Sequence, residues 1–270
     1  MTSCPAEVHV AGLAFDSIAD SYDSIFTATL IGRSQRSAVW AKAAAVFHAG
    51  DRVLELNCGT GEDALFLARR GVRVTACDAS SRMIEQARER ATKEFPNAPI
   101  NFHALCTEHL DDLETGVLFD GVFSNFSGLN CVDDFPQASR LIANRLKPGG
   151  QVLLCLSSRF CLWEILNYSI RGNLNKAFRR CSGVTAAKLA EHSFPVYYPT
   201  LSSLLQSLRP AFRLLSVTGI GVAVPPSYME GWARRHPQLL SICEAADRMI
   251  SSWPGVRAMG DHILLHLERM

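Results

Sequence analysis

Up to residue 156, short apolar runs alternate with longer stretches of mixed polarity. Residues 52–56 (RVLEL), 72–77, 100–104, 118–124 (LFDGVFS) and 151–156 (QVLLCL) are dominated by Val, Leu, Ile, Phe and Cys. Such runs predict strands buried on both faces. Between them, residues 62–70, 80–94 and 134–146 read as helices, with Ser80 placed to cap the second. Ahead of the first strand an Ala-rich helix is expected over 33–47, stopped by Gly50-Asp51 and preceded by a loose tail at 1–12. Pro96 and Pro99 break the chain before the third strand, and Pro148-Gly149-Gly150 marks a turn before the fifth. Strands alternating with helices of about ten residues build βαβ units around a parallel sheet.

The alternation loosens after residue 156. Residues 157–212 hold WEIL, a basic stretch with Lys176, Arg179 and Arg180, and the segment FPVYYPT. A sixth strand is expected over 212–218, a largely helical excursion from Pro225-Pro226 to about Trp253, and a last strand over 262–267. The expected fold is therefore α/β: a Rossmann-like, seven-stranded, mostly parallel sheet with helices on both faces, plus helical insertions after strands five and six. The excursions are longer than simple connections require, and long insertions in compact domains are often functional.

Composition changes this picture little. The chain has 270 residues, 48% hydrophobic and 20% charged, enough for a substantial core. A formal net charge of +1 gives no general reason to expect a nucleic-acid partner. The nine cysteines (Cys4, Cys58, Cys77, Cys106, Cys131, Cys155, Cys161, Cys181 and Cys243) form no C-x-x-C pair, which reads as reduced thiols in a cytoplasmic protein. The N-terminus MTSCPAEVHV lacks the features of a signal peptide, and no apolar run reaches the ~20 residues of a membrane span. No histidine or carboxylate pair shows metal-ligand spacing, so no metal is expected.

The segment VLELNCGTGEDALFLARRGVRVTACDAS, residues 53–80, carries the chemistry. A strand runs into a glycine-bearing turn and a helix begins at once. Gly59 and Gly61 allow a tight turn and close ligand approach, and free N–H groups at the helix start face the same place. Asp78, at the tip of the second strand, is placed to accept hydrogen bonds from ribose hydroxyls, so a nucleoside ligand is expected across the two strand ends. Residues 59–64 also fit the dinucleotide pattern G-x-G-x-x-G/A. Glu55 and Glu62 oppose a pyrophosphate there and favour a ligand bearing an ammonium and a sulfonium.

Glu55-Leu56-Asn57-Cys58-Gly59-Thr60-Gly61 resembles the first motif, E/D-x-G-x-G-x-G, of the class I S-adenosylmethionine-dependent methyltransferases. Asn57 stands where that pattern has glycine, and asparagine is the next-best residue for a left-handed backbone. Asp78-Ala79-Ser80-Ser81-Arg82-Met83 is similar to the family's D-x-S-x-x-M, whose acid binds ribose and whose Met packs on adenine. Cys106-Thr107-Glu108-His109-Leu110 falls where the family writes D-A-x-x-L; Cys106 replaces the acid that receives the adenine amino group, leaving Thr107 or backbone to substitute. Phe119-Asp120-Gly121-Val122, with Asn125 beyond it, and Leu146-Lys147-Pro148-Gly149-Gly150 match two later motifs. Residues 15–23 resemble the family's N-terminal lid, whose Tyr, here Tyr22, closes over the cofactor, and Arg33 or Arg36 is then in place for the methionyl carboxylate.

The resemblance spans residues 15–156 and implies an N-terminal helical lid over 1–50 and an S-adenosylmethionine-binding core over 51–156; 157–270, acceptor-binding insertions with the last strands, are expected over the carboxyl ends of the strands. The resemblance implies cofactor contacts from Tyr22, Arg36, Glu55, Asn57, Gly59, Gly61, Asp78, Ala79, Met83, Cys106, Thr107 and Asn125, with S-adenosylhomocysteine as product. His192 is the best-placed candidate base, and Tyr197 and Tyr198 are candidate acceptor contacts, though packed or solvated roles compete for all three. Lys176, Arg179 and Arg180 read first as a solvated helical face and second as recognition of an acidic substrate. The aromatic content of the insertions (Phe160, Trp163, Tyr168, Phe194, Tyr197, Tyr228 and Trp232) suggests a partly apolar or aromatic small-molecule acceptor. Two rival readings stand beside methyl transfer: an NAD(P)-dependent oxidoreductase and a non-catalytic cofactor-binding protein.

Overall fold

The computed structural model describes residues 9–113 and 116–270. The expectations placed on residues 1–8, Cys4 among them, lie outside the described residues. Seven strands form one sheet: β1 (Arg52–Leu56), β2 (Arg73–Asp78), β3 (Ile100–Ala104), β4 (Phe119–Ser124), β5 (Leu146–Ser157), β8 (Phe212–Ile220) and β9 (His262–Arg269). Their order is β3-β2-β1-β4-β5-β9-β8. Neighbours from β3 to β5 pair in parallel, and only β9 runs against the rest. The expected mostly parallel Rossmann-like sheet is therefore the observed one. Strand order reverses between β1 and β4, and in open α/β sheets ligands bind at the carboxyl ends beside such a switch.

Helices α1 (Val10–Asp16) and α2 (Ala19–Tyr22) lead through a π-helical turn (Asp23–Thr27) into α3 (Leu30–Val46). Helices α4 (Glu62–Arg69), α5 (Ser81–Glu94) and α6 (Phe135–Asn144) connect the parallel strands. Ser80 caps α5, its Oγ accepting from Met83 N at 3.0 Å, as its position implies. The start of α3 is capped from a distance: Glu230 accepts from the N–H groups of Leu30 and Ile31. On one sheet face Leu54, Val122 and Leu154 pack with α6; on the other Val53, Phe123 and Leu153 pack with α3 and α4. Gly121 lies under the Phe47 ring, where an added Cβ would stand 2.3 Å from Phe47 Cε1.

Two expectations are corrected. The chain is helical from Val10, with His9 Nδ1 accepting from Gly12 N, so the loose tail does not extend to residue 12. The first insertion is not wholly helical. After α7 (Leu162–Ile170) and α8 (Leu174–Ala177) come β6 (Val184–Leu189) and β7 (His192–Tyr197), a separate antiparallel hairpin, and then α9 (Leu201–Leu208). Its turn is Ala190-Glu191, with Ala190 at φ 49°, and it lacks the Gly or Asn that normally announces a hairpin. Pro195 further disguises β7, yet is tolerated because it lies exposed on a two-stranded ribbon. The second insertion is helical, as α10 (Glu230–Arg235) and α11 (Pro237–Ile250).

A buried ionic network ties the first insertion to the sheet. Glu164 of α7 is fully buried and receives Arg179 and Arg180. Arg180 also donates to the Asp261 carboxylate at 2.8 Å and the Asp261 carbonyl at 2.9 Å, just before β9. Arg180 is thus no part of a solvated face. Burial disfavours its charge, but Asp261 and Glu164 outweigh burial and hold its pKa above the ordinary value. Removing one partner of a buried pair leaves uncompensated charge. Arg180→Met is expected to lower unfolding free energy by about 3–5 kcal/mol, read from urea denaturation; a loss within experimental error would mean that the network does not hold the insertion.

Candidate active site

The turn after β1 is left-handed at Asn57 (φ 55°), Gly59 (φ 52°) and Gly61 (φ 76°). Asp78 ends β2 beside it. Its Oδ2 accepts from Gly59 N at 2.8 Å and its Oδ1 from Ser80 N at 2.9 Å, so one carboxylate holds both βα turns. Burial raises the Asp78 pKa, and the two N–H donors oppose that shift. A carboxylate offers about four acceptor positions, so two remain for a ligand.

One cavity opens at this edge. Nine residues expected from the sequence line it: Tyr22, Asn57, Gly59, Asp78, Ala79, Met83, Cys106, Thr107 and Asn125. Three do not. Gly61 instead makes room for α5, since a Cβ there would lie 2.9 Å from Ala87 Cβ. Arg36 is buried and ion-paired with Asp63, against the faces of Phe26 and Phe126; Arg33, its alternative, is exposed. Glu55 is buried in β1, its Oε2 without a hydrogen-bond partner. Burial first, then the charge of Asp63, push the Glu55 pKa well above the carboxyl range, and Arg36 offsets this only in part.

Sequence reasoning missed several lining residues. His9, Ala11, Gly12 and Phe15 come from α1 and the residue that caps it, Glu108 from the turn after β3, and Phe126 from the turn after β4. Glu108 stands two residues past Cys106, in the region where the resemblance places an adenine-binding acid. Burial works against its charge, but hydrogen bonds from His9 and Cys106 and a backbone N–H hold its pKa below the ordinary range. Asp63 was also missed, because its role is visible only in space. It receives Arg36, Trp40 Nε1 and, at 3.0 Å, Asn125 Nδ2. Glu62, invoked above against a pyrophosphate, is paired with Arg90 and so spends its charge away from the cavity.

Two acids tie the N-terminal helices to the core. Asp16 Oδ1 accepts from Ser80 Oγ at 2.6 Å and from Arg82 N at 2.9 Å, at the start of α5. Asp23 accepts from Thr60 Oγ1 at 2.7 Å and pairs with Arg90. Gly12 lets α1 lie directly on Ala79, whose carbonyl oxygen would be 2.6 Å from an added Cβ. A run of rings then crosses the site, Phe194–Phe15–Tyr22–Phe26–Phe126–His262, with successive centroids 4.9–6.4 Å apart. Burial pushes the Tyr22 phenol up to about 12, so it stays protonated at neutral pH.

The remaining candidates lie elsewhere. His192 opens β7 opposite Leu189, at the hairpin turn, and is not among the cavity-lining residues. Tyr197 and Tyr198 line a neighbouring cleft with Leu129, Asp133 and Arg159. Tyr198 is buried under Arg180 at 5.4 Å, and the Tyr197 carbonyl accepts from Asn130 at 2.6 Å. Among the described residues no group of three or more His, Cys, Asp or Glu can hold a metal ion, and no helix is long and apolar enough to cross a membrane.

Comparison with known proteins bears on the family and the fold. A methyltransferase-domain family matches residues 53–150. A demethylmenaquinone methyltransferase of Clavibacter sepedonicus is 32% identical over 142 residues, covering 52% of this chain and 55% of that protein. The chain thus spans about half the length of the first curated relatives it matches. An uncharacterized methyltransferase of Mycobacterium bovis is 31% identical over 172 residues, covering 60% of this chain and 76% of that protein. Among solved structures, the [4+2]-cyclase SpnF shares the fold at a TM-score of 0.64 and 17% identity, over 99% of this chain and 98% of that one.

Asn57 and Gly128 form a matched pair. Asn57 takes the place of a glycine in the resembling motif, and its side chain fills the space where a Gly128 Cβ would sit, 2.1 Å from Asn57 Cβ. Gly128→Ala is expected to displace Asn57 and weaken S-adenosylhomocysteine binding about tenfold, at an overpacking cost of about 1–3 kcal/mol. Asn57→Gly combined with Gly128→Ala should recover most of the loss in a titration cycle; additive losses would show that the two positions are independent.

Proposed function

The chain belongs to the class I S-adenosylmethionine-dependent methyltransferases, and we propose that it transfers a methyl group from S-adenosylmethionine to a small, partly apolar or aromatic acceptor by in-line displacement. The observation that carries this reading is the cradle at the two strand ends. Asp78 holds both turns with acceptor capacity to spare, beside Glu55, a buried acid lacking a partner for Oε2. Those residues fit a ligand with ribose hydroxyls at one end and an ammonium at the other.

In this reading Asp78 grips the ribose, Met83 and Ala79 flank the base, and Glu108 or Thr107 receives its amino group. Glu55, with an unpartnered Oε2, biases the far end towards positive charge. When bound, S-adenosylmethionine supplies a methyl group already activated on sulfur, so the protein's main task is orientation. Alignment of two reactants supplies roughly 7–11 kcal/mol of barrier lowering. Tyr22, Phe15 and Phe126 wall the site, and the N-terminal helices exclude water. The ring run and the demethylmenaquinone methyltransferase relative both favour an apolar, ring-bearing acceptor.

The fold alone does not select methyl transfer, since a [4+2]-cyclase shares it. Formation of S-adenosylhomocysteine during incubation with S-adenosylmethionine and a panel of ring-bearing acceptors, hydroxylated naphthalenes among them, is the deciding measurement. Turnover of acceptor without that product would replace the reading, as would an absence of binding heat for either nucleoside.

Two further outcomes follow from the cradle. In Asp78→Asn the new amide N–H₂ must face the Gly59 or the Ser80 N–H, a donor against a donor. The loss of a charged hydrogen bond predicts about 10–100-fold weaker S-adenosylhomocysteine binding by calorimetry. Glu55, its pKa raised, is neutral in the free protein over the range between the ordinary carboxyl value and its own. An ammonium nearby favours the carboxylate, so binding in that range releases a proton and affinity climbs with pH. Calorimetry in buffers of differing ionisation heat should detect this release, and Glu55→Gln should abolish it. A release that persists in the variant would assign the proton to another group.

A further inference from the structure

Charge is unevenly placed along this nearly neutral chain. Residues 157–190 carry Arg159, Arg171, Lys176, Arg179, Arg180 and Lys188 against a single acid, Glu164. Some of these cations are engaged: Arg179 and Arg180 with Glu164, and Arg159 with the carbonyls of Cys181 and Tyr198. Arg171 and Lys176 form no ion pair among the described residues, although Lys176 Nζ lies 5.6 Å from the Tyr168 ring centroid.

The same two helices turn large apolar side chains to solvent. Leu166 and Ile170 lie one turn apart on α7, and Leu174 and Phe178 are spaced alike along α8 and the residue after it. Ile170 is 85% exposed and Leu174 59%. The turn between the two helices contains Gly172, at φ 71°. Single exposed apolar residues are ordinary, but a cluster on adjacent helices marks an interaction surface. Cations beside it specify the partner's charge as negative. Apolar side chains flanked by lysine and arginine on short helices are the composition of an interfacial membrane contact.

We propose that the α7–α8 face docks peripherally on an anionic lipid bilayer. Ile170, Leu166, Leu174 and Phe178 enter the headgroup boundary, and Arg171 and Lys176 meet the lipid phosphates. The surface begins where β5 ends, and Ser157 of β5 bonds Ser127 in the turn that walls the candidate active site, 2.7 Å away.

The test is co-sedimentation with vesicles of phosphatidylcholine, with and without about 30% phosphatidylglycerol. The protein is expected to bind the anionic vesicles, bind neutral ones far less, and detach as salt rises. Arg171→Ala with Lys176→Ala should reduce partitioning roughly 30-fold, at the usual effect of each basic residue near such a surface. Ile170→Asp with Leu174→Asp should abolish it. All four positions are on the surface, so each variant should still bind S-adenosylhomocysteine like the unaltered protein; that titration separates failure of the docking from failure of the cofactor reading. No association of the unaltered protein with anionic vesicles overturns the proposal, as does association that survives both double variants. Retention on heparin without vesicle binding would assign the surface to a soluble polyanion and overturn it equally.

Discussion

The site depends on a single carboxylate that accepts from two backbone N–H groups. Asp78 receives Gly59 from the β1–α4 turn and Ser80 from the β2–α5 turn. Charge-assisted bonds of this kind are about twice as strong as neutral ones. They fix the relative position of two helix starts. Those donors oppose the upward shift of half-buried Asp78, while buried Glu55, without comparable donors, is driven towards the neutral form. Both acids in these neighbouring strands are pushed up by burial, and at Asp78 two backbone donors oppose that push.

Acids also hold the N-terminal helices. Asp16 binds at the N-terminus of α5, where exposed N–H groups favour negative charge, and Asp23 reaches across to Thr60 and Arg90. These contacts are polar and partly exposed, so each contributes modestly. The aromatic run beneath them supplies apolar contact that does not depend on one geometry.

The sheet was legible in the sequence because its strands are short, apolar and separated by strong helix signals. The β1 and β3 limits agree with the observed ones, since Gly50-Asp51 and Pro96/Pro99 punctuate them. Asp78 was legible for the same reason: it sits at a fixed distance from a glycine turn. Asp63, Glu108 and Phe126 were not, because each acts on partners far away in sequence and carries no local signature. The β6–β7 hairpin escaped notice because Ala190-Glu191 is not a turn dipeptide and Pro195 argues against a strand. Arg180 was misplaced on the surface because its two acids, Glu164 and Asp261, lie 16 and 81 residues away. Local pattern reports elements; it is silent on which charges the fold will bury.

The turn after β4 shows why the insertion and the core belong to one device. Phe126 and Ser127 are both left-handed, at φ 49° and 70°, and neither is glycine. Each such residue costs about 1–3 kcal/mol and persists only where its surroundings over-determine it. The surroundings do so here from both sides. Asn125 accepts from Phe126 N at 2.9 Å while donating to Asp63, and the Arg36 guanidinium lies over the Phe126 ring. From the opposite side His262 packs edge-on against the same ring, Asp261 precedes it, and Arg180 holds Asp261 to Glu164 of the insertion. Burial keeps His262 neutral, so the contact with Phe126 is apolar rather than ionic. The ionic network therefore acts on the cavity through packing: it positions β9, β9 positions His262, and His262 closes the far side of a strained turn whose near side lines the cavity. Strain is kept at the wall of the cavity because both halves of the chain are needed to hold it there.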